Sequence, residues 1–177
     1  MTERFHIVTG GPGSGKTSVI EALAAQGFPY MPEAGRAIIK DQVDIGGLAL
    51  PWSNSAAYAE LMLGWEMRSW REAQALDGPV LFDRGIPDVI GYLRLSGLPI
   101  SEATMRAAHV RRYARRVFIA PPWPAIFMQD AQRKQTEAEA EATYHAMVAA
   151  YTDLGYEMVP LPLASVAERA KFIRANI

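Results

Sequence analysis

Gly10 to Thr17, GGPGSGKT, is the stretch that decides the fold. It lies between an apolar run, Phe5 to Thr9, and a helix-like segment, Lys16 to Gln26, that Gly27 stops. Glycines at 10, 11, 13 and 15 let backbone N–H groups converge on an anion, where any side chain would obstruct its approach. In this pattern Lys16 supplies a point charge for the β- and γ-phosphates, and the Thr17 hydroxyl is a ligand for magnesium. The helix that opens there adds the positive end of its dipole. Given the glycine, lysine, serine and threonine content of the chain, the pattern G-x-x-x-x-G-K-[ST] is expected by chance roughly 0.002 times. The loop therefore reads as a phosphate cradle. Gly11, Pro12, Gly13, Ser14, Gly15, Lys16, Thr17 and Ser18 are its nucleotide-binding residues, and ATP or GTP with magnesium is its ligand.

Outward from this loop, short apolar runs alternate with longer helical patterns. The runs at 5–9, 28–31, 79–82, 117–120 and 156–161 predict five strands. Between them, helices are predicted from Pro32 to about Lys40, from Asn54 to Ala75, from Pro87 to Ser96, from Ser101 to about Tyr113 and from Asp130 to Leu154. The last helix opens at a Ser165-x-x-Glu168 capping box. This alternation predicts an α/β domain on a mostly parallel sheet. With 177 residues, half of them apolar, there is material for one core and hardly for two, so residues 1–177 read as a single domain. The 18 basic and 19 acidic residues nearly cancel, which excludes a global field for nucleic acid or an anionic membrane. The absence of cysteine removes disulfides, thiolate chemistry and cysteine zinc sites. No apolar run reaches the roughly 18 residues that span a bilayer, and Met1 to Lys16 lacks a signal pattern, so a cytoplasmic location is expected.

Three further groups carry chemistry. Val80, Leu81 and Phe82 run into Asp83-Arg84-Gly85, which puts a carboxylate at the carboxyl edge of the sheet, where open α/β folds bind ligands. Asp83 there either holds a magnesium-bound water or takes a proton from an attacking hydroxyl, and Arg84 grips an anionic or polar group of the substrate. The plainer reading of Asp83 is a turn cap. At the end of the second run, Glu33 and Arg36 fall on the first turn of a helix; Glu33 suits a general base or a binder of substrate hydroxyls, or simply a local ion pair. Arg133 and Lys134 follow the prolines at 121, 122 and 124, in a lid-like segment near 121–140. Arg133 there can close over the γ-phosphoryl group, or pair with Glu137 on a solvated helix face. Arg111, Arg112, Arg115 and Arg116 read as helix-terminal cations rather than a nucleic-acid patch. The Trp65 and Trp70 stripe reads as core, part of it walling the acceptor pocket.

These motifs together resemble those of small P-loop kinases of nucleosides and nucleotides. More closely, the whole chain resembles the AAA-type P-loop family that contains the ribosylnicotinamide kinase domain of NadR and a eukaryotic GTP- and phosphatidic-acid-binding trafficking protein. The resemblance implies a three-layer P-loop NTPase sandwich whose five-stranded parallel sheet has the order 2-3-1-4-5. It also implies nucleotide on the loop and Asp83 near the magnesium. It carries no substrate. The chain has no [NT]-K-x-D guanine motif, and it lacks both the Walker B Asp-Glu pair and the helical second domain of ring-forming AAA+ machines. Two functions remain: a kinase for a small-molecule acceptor held by Glu33, Arg36 and Arg84, or a nucleotide-dependent switch for a protein or lipid.

Overall fold

The computed structural model describes residues 3–127 and 136–177. Five strands, β1 (Phe5–Gly10), β2 (Tyr30–Met31), β3 (Val80–Asp83), β4 (Arg116–Ala120) and β5 (Glu157–Pro160), form one sheet in the order β2-β3-β1-β4-β5. Every pairing is parallel; Phe5 faces Val80, Val8 faces both Asp83 and Phe118, and Ile119 faces Pro160. The connecting helices are α1 (Lys16–Ala24), α2 (Ala34–Asp44), α3 (Ser55–Ala73), α4 (Ile86–Leu95), α5 (Glu102–Val110), α6 (Pro124–Phe127), α7 (Glu137–Asp153) and α8 (Val166–Arg174). None of the described helices is long and apolar enough to cross a membrane.

The period of two along each strand produces the layers. Phe5, Ile7, Val80, Phe82 and Val117 point to one face and pack with Ala73 of α3, Ile86 and Ile90 of α4, and Ala150 and Tyr151 of α7. Val8, Leu81, Phe118 and Ala120 point to the other, against Val19, Ile20 and Leu23 of α1 and Ala170 and Ile173 of α8. Both faces are covered, so the strands read as continuous apolar runs and the domain is a three-layer sandwich. Each fully buried large side chain contributes about 1.5–3 kcal/mol.

Local differences from the sequence-based expectation have identifiable causes. β2 is an edge strand of two residues, and α2 starts at Ala34 rather than Pro32. Within the proline-rich stretch after β4, Pro124 opens the short helix α6, since a proline is tolerated in a first turn. α5 stops at Val110, and Arg112, Arg115 and Arg116 lie beyond it rather than in its last turn. Arg111 stacks 5.0 Å over Trp70, and Arg112 stacks 4.0 Å over Tyr156 while donating to the Leu154 carbonyl that ends α7. These cations are held by aromatic faces and a carbonyl, not by the dipole of α5. Arg133, Lys134 and the expected start of α7 near Asp130 lie outside the described residues.

Candidate active site

The loop after β1 folds on itself before any ligand is considered. Gly13 and Gly15 have φ of 71° and 75°, left-handed conformations that a side chain would strain. Ser14 Oγ donates to the Gly11 carbonyl at 2.7 Å, and Lys16 Nζ donates to the same oxygen at 2.9 Å. Pro12, Gly13, Gly15, Lys16, Thr17 and Ser18 line a cavity of about 720 Å³, whereas Gly11 and Ser14, joined by that hydrogen bond, do not. Lys16 is 6% exposed. Burial, helped by the Arg84 cation, pushes its ammonium down to about 8 against the pull of Asp83, Glu33 and Asp88.

At the end of β3, Arg84 is the only non-glycine among the described residues with positive φ, 77°. A left-handed arginine costs about 1–2 kcal/mol, so other contacts must hold it. They do: its N–H donates to the Val8 carbonyl at 3.1 Å, Nε to Glu33 at 3.1 Å and Nη1 to Asp88 at 3.2 Å. Burial opposes its charge, but Glu33, Asp88 and Asp83 outweigh burial and hold its pKa above the ordinary value. The preceding Asp83 is 5% exposed, and its Oδ1 has no hydrogen-bond partner. Burial raises its pKa, while Lys16 works against that rise.

Glu33 stands at the N-cap of α2, and the pair read from the sequence is present, with Arg36 at 3.6 Å. Its closer partner is Arg84. Burial would raise the Glu33 carboxyl, yet Arg84, Lys16 and Arg36 together bring it below the usual range. Glu33, Arg36 and Arg84 all line the cavity; Asp83 does not.

Several site residues escaped sequence reasoning. Asp88 in the first turn of α4 accepts from Thr9 Oγ1 of β1, Tyr151 Oη of α7, the Gly85 N–H at 2.9 Å and Arg84. Its only sequence signal was an acidic residue three positions after a helix cap. Tyr58, Met62 and Glu66, at i, i+4 and i+8, make the cavity-facing stripe of α3, opposite Asp88, Val89 and Tyr92 of α4. The Tyr58 and Tyr92 rings meet edge to face at 5.4 Å. A Cβ on Gly35 would stand 2.6 Å from Tyr58 Oη, so glycine there admits the tyrosine to the site. Glu66 is 4% exposed, and burial, reinforced by Asp88, holds its carboxyl well above the usual range. Trp65 and Trp70 pack against the core as expected, Trp70 edge-on to Phe5, but neither lines this cavity, so the part of the stripe expected to wall the acceptor pocket does not. On the other side of the loop the cavity is bounded by Trp123, Ile126 and residues 164–166 and 169.

The residues present fit a magnesium ion. The partnerless Asp83 Oδ1 is a buried acceptor in want of a donor such as a metal-bound water, and Thr17 is exposed to the cavity. Among the described residues no group of three or more His, Cys, Asp or Glu is placed to hold a metal ion.

The fold is shared with solved structures at low sequence identity, kinases among them. A deoxyadenosine kinase from M. mycoides, solved with dCMP and dCDP, superposes with a TM-score of 0.69 at 11% identity over 97% of each chain. NadR in complex with NR gives 0.73 at 16% identity, over 98% of this chain and 50% of that one. Shikimate kinase from Acinetobacter baumannii in complex with shikimate gives 0.56 at 16% identity, over 99% and 93%. No curated protein matches the chain. The AAA domain family model matches residues 5–169, from the first strand into the last helix, and the chain belongs to that family.

Proposed function

We propose that the protein is a small-molecule kinase that transfers the γ-phosphoryl group of ATP to a hydroxyl of an acceptor bound between α2, α3 and α4. The observation that carries this reading is the single cavity running from the phosphate loop to the Glu33–Arg84–Asp88 cluster and the Tyr58–Glu66 stripe. A switch that only holds nucleotide has no use for a walled second compartment facing the γ-phosphate. The kinases with which the chain shares its fold are in keeping with the proposal.

In this mechanism Lys16 leaves the Gly11 carbonyl to meet the β- and γ-phosphates, whose charge restores its full protonation. Arg84, pre-aimed by Glu33 and Asp88, faces the transferring group at no reorganisation cost. The acceptor oxygen bonds to Pγ as the bond from Pγ to the bridging oxygen breaks, and the hydroxyl proton passes to Glu33. A carboxylate of lowered pKa is a weak base, but the transition state is loose and the proton leaves late, so a weak base suffices. Asp83 and Thr17 would hold magnesium, which neutralises charge between the phosphates. Arg36 and Glu66 bind the acceptor. The test is mass spectrometry after incubation with magnesium-ATP and a metabolite extract. One metabolite should gain a phosphoryl group with wild type and none with Lys16→Ala; no phosphorylated product would overturn the reading.

A further inference from the structure

Arg169 is the largest fully buried side chain among the described residues, 2% exposed, and the mechanism above leaves it unused. The Ser165–Glu168 capping box fixes the first turn of α8 and carries Arg169 inward to the phosphate loop. Its Nη2 donates to the Ser14 carbonyl at 2.9 Å, and Nη1 lies 2.8 Å from where a Cβ on Gly15 would stand. Trp123 offers a ring face at 6.0 Å. Nε is buried without an acceptor, and among the described residues no carboxylate pairs with the guanidinium.

Two costs fall on this arginine in the free protein. A buried cation without a counter-charge is unfavourable, and one in the opening turn of a helix also faces the positive end of the dipole. Both are relieved by an anion on the loop. Its one hydrogen bond also has a geometric effect. In a trans peptide the C=O and N–H point in opposite directions, so holding the Ser14 oxygen toward α8 turns the Gly15 N–H away from it.

We infer that Arg169 is a positioning residue of the phosphate cradle: it orients the Ser14–Gly15 peptide, and its charge, which no carboxylate of the described residues offsets, is compensated when a polyphosphate occupies the loop. This rests on the proposed binding of nucleotide there. ATP binding by calorimetry, with thermal unfolding before and after ATP, tests it. Arg169→Gln keeps a donor for the Ser14 carbonyl but removes the cation. It should unfold no lower than wild type without ATP, yet bind ATP about tenfold more weakly or worse and show a smaller ATP-induced shift. Arg169→Lys, which keeps the charge, should recover most of that affinity. A glutamine variant within about twofold of wild-type affinity, or one that only loses stability, overturns the inference, as does a lysine variant no better than glutamine. Failure of wild type itself to bind ATP would instead overturn the nucleotide reading.

Discussion

At the residue scale, burial is what separates Glu33 from Asp83 in the proposed mechanism. Asp83 ends β3 and Glu33 caps α2 just beyond β2, but only Glu33 lines the cavity and pairs with Arg84, while Asp83 keeps a partnerless buried oxygen. Glu33→Gln should therefore slow phosphoryl transfer about a hundredfold with ATP affinity unchanged, since the amide keeps the shape and loses the proton acceptor. Asp83→Asn should instead weaken magnesium binding, so that the half-saturating magnesium concentration rises. Titration of turnover against magnesium separates them; if Asp83→Asn abolishes turnover at every magnesium level and Glu33→Gln does nothing, the roles are reversed. The Glu33–Arg36 pair was legible because it is local, three residues apart on one turn. The stronger Glu33–Arg84 pair joins residues 51 apart, and Glu66 looked like an ordinary polar residue of a long helix. Burial decides both, and burial is a property of the packed chain.

Asp88 makes α4 more than a connector at the scale of elements. It ties β1 through Thr9, α7 through Tyr151 and its own helix start through Gly85, while steadying Arg84. Asp88→Asn sets an NH₂ against either the Arg84 guanidinium or the Gly85 N–H, neither of which can turn to accept. A loss of about 2 kcal/mol or more is expected, seen as a lower denaturation midpoint at unchanged slope. An unchanged midpoint would show that the hub carries no stability. Strands β1, β3 and β4 were legible because strands buried on both faces are continuous apolar runs ending at glycine, acid or proline signals. The edge strand β2 and the end of α5 were less so, because pairing with β3 and the stacking of Arg111 and Arg112 set them, and neither leaves a local pattern.

For the molecule as a whole, the sheet carries a pH-sensitive group away from the catalytic chemistry. His6 of β1 is buried, and burial pushes its imidazole down to about 4 from 6.5. Between these values the unfolded chain takes up a proton that the folded one refuses, so stability present above pH 6.5 is lost as pH falls toward 4. The shift corresponds to about 3 kcal/mol. Denaturant unfolding of wild type and His6→Leu should diverge by that amount across this window, and parallel curves would assign the loss to other groups.

The same fold holds a phosphate loop at one end of a cavity and a walled pocket at the other, and the central claim is that a phosphoryl group crosses between them. Single-turnover reaction of ATP labelled in its γ-phosphoryl group, with the acceptor found by mass spectrometry, follows that group directly. The label should appear on the acceptor, with little released to water and slow ATP loss when acceptor is omitted. Label found only as inorganic phosphate, at a rate no acceptor changes, would contradict it and leave a nucleotide-hydrolysing switch in its place.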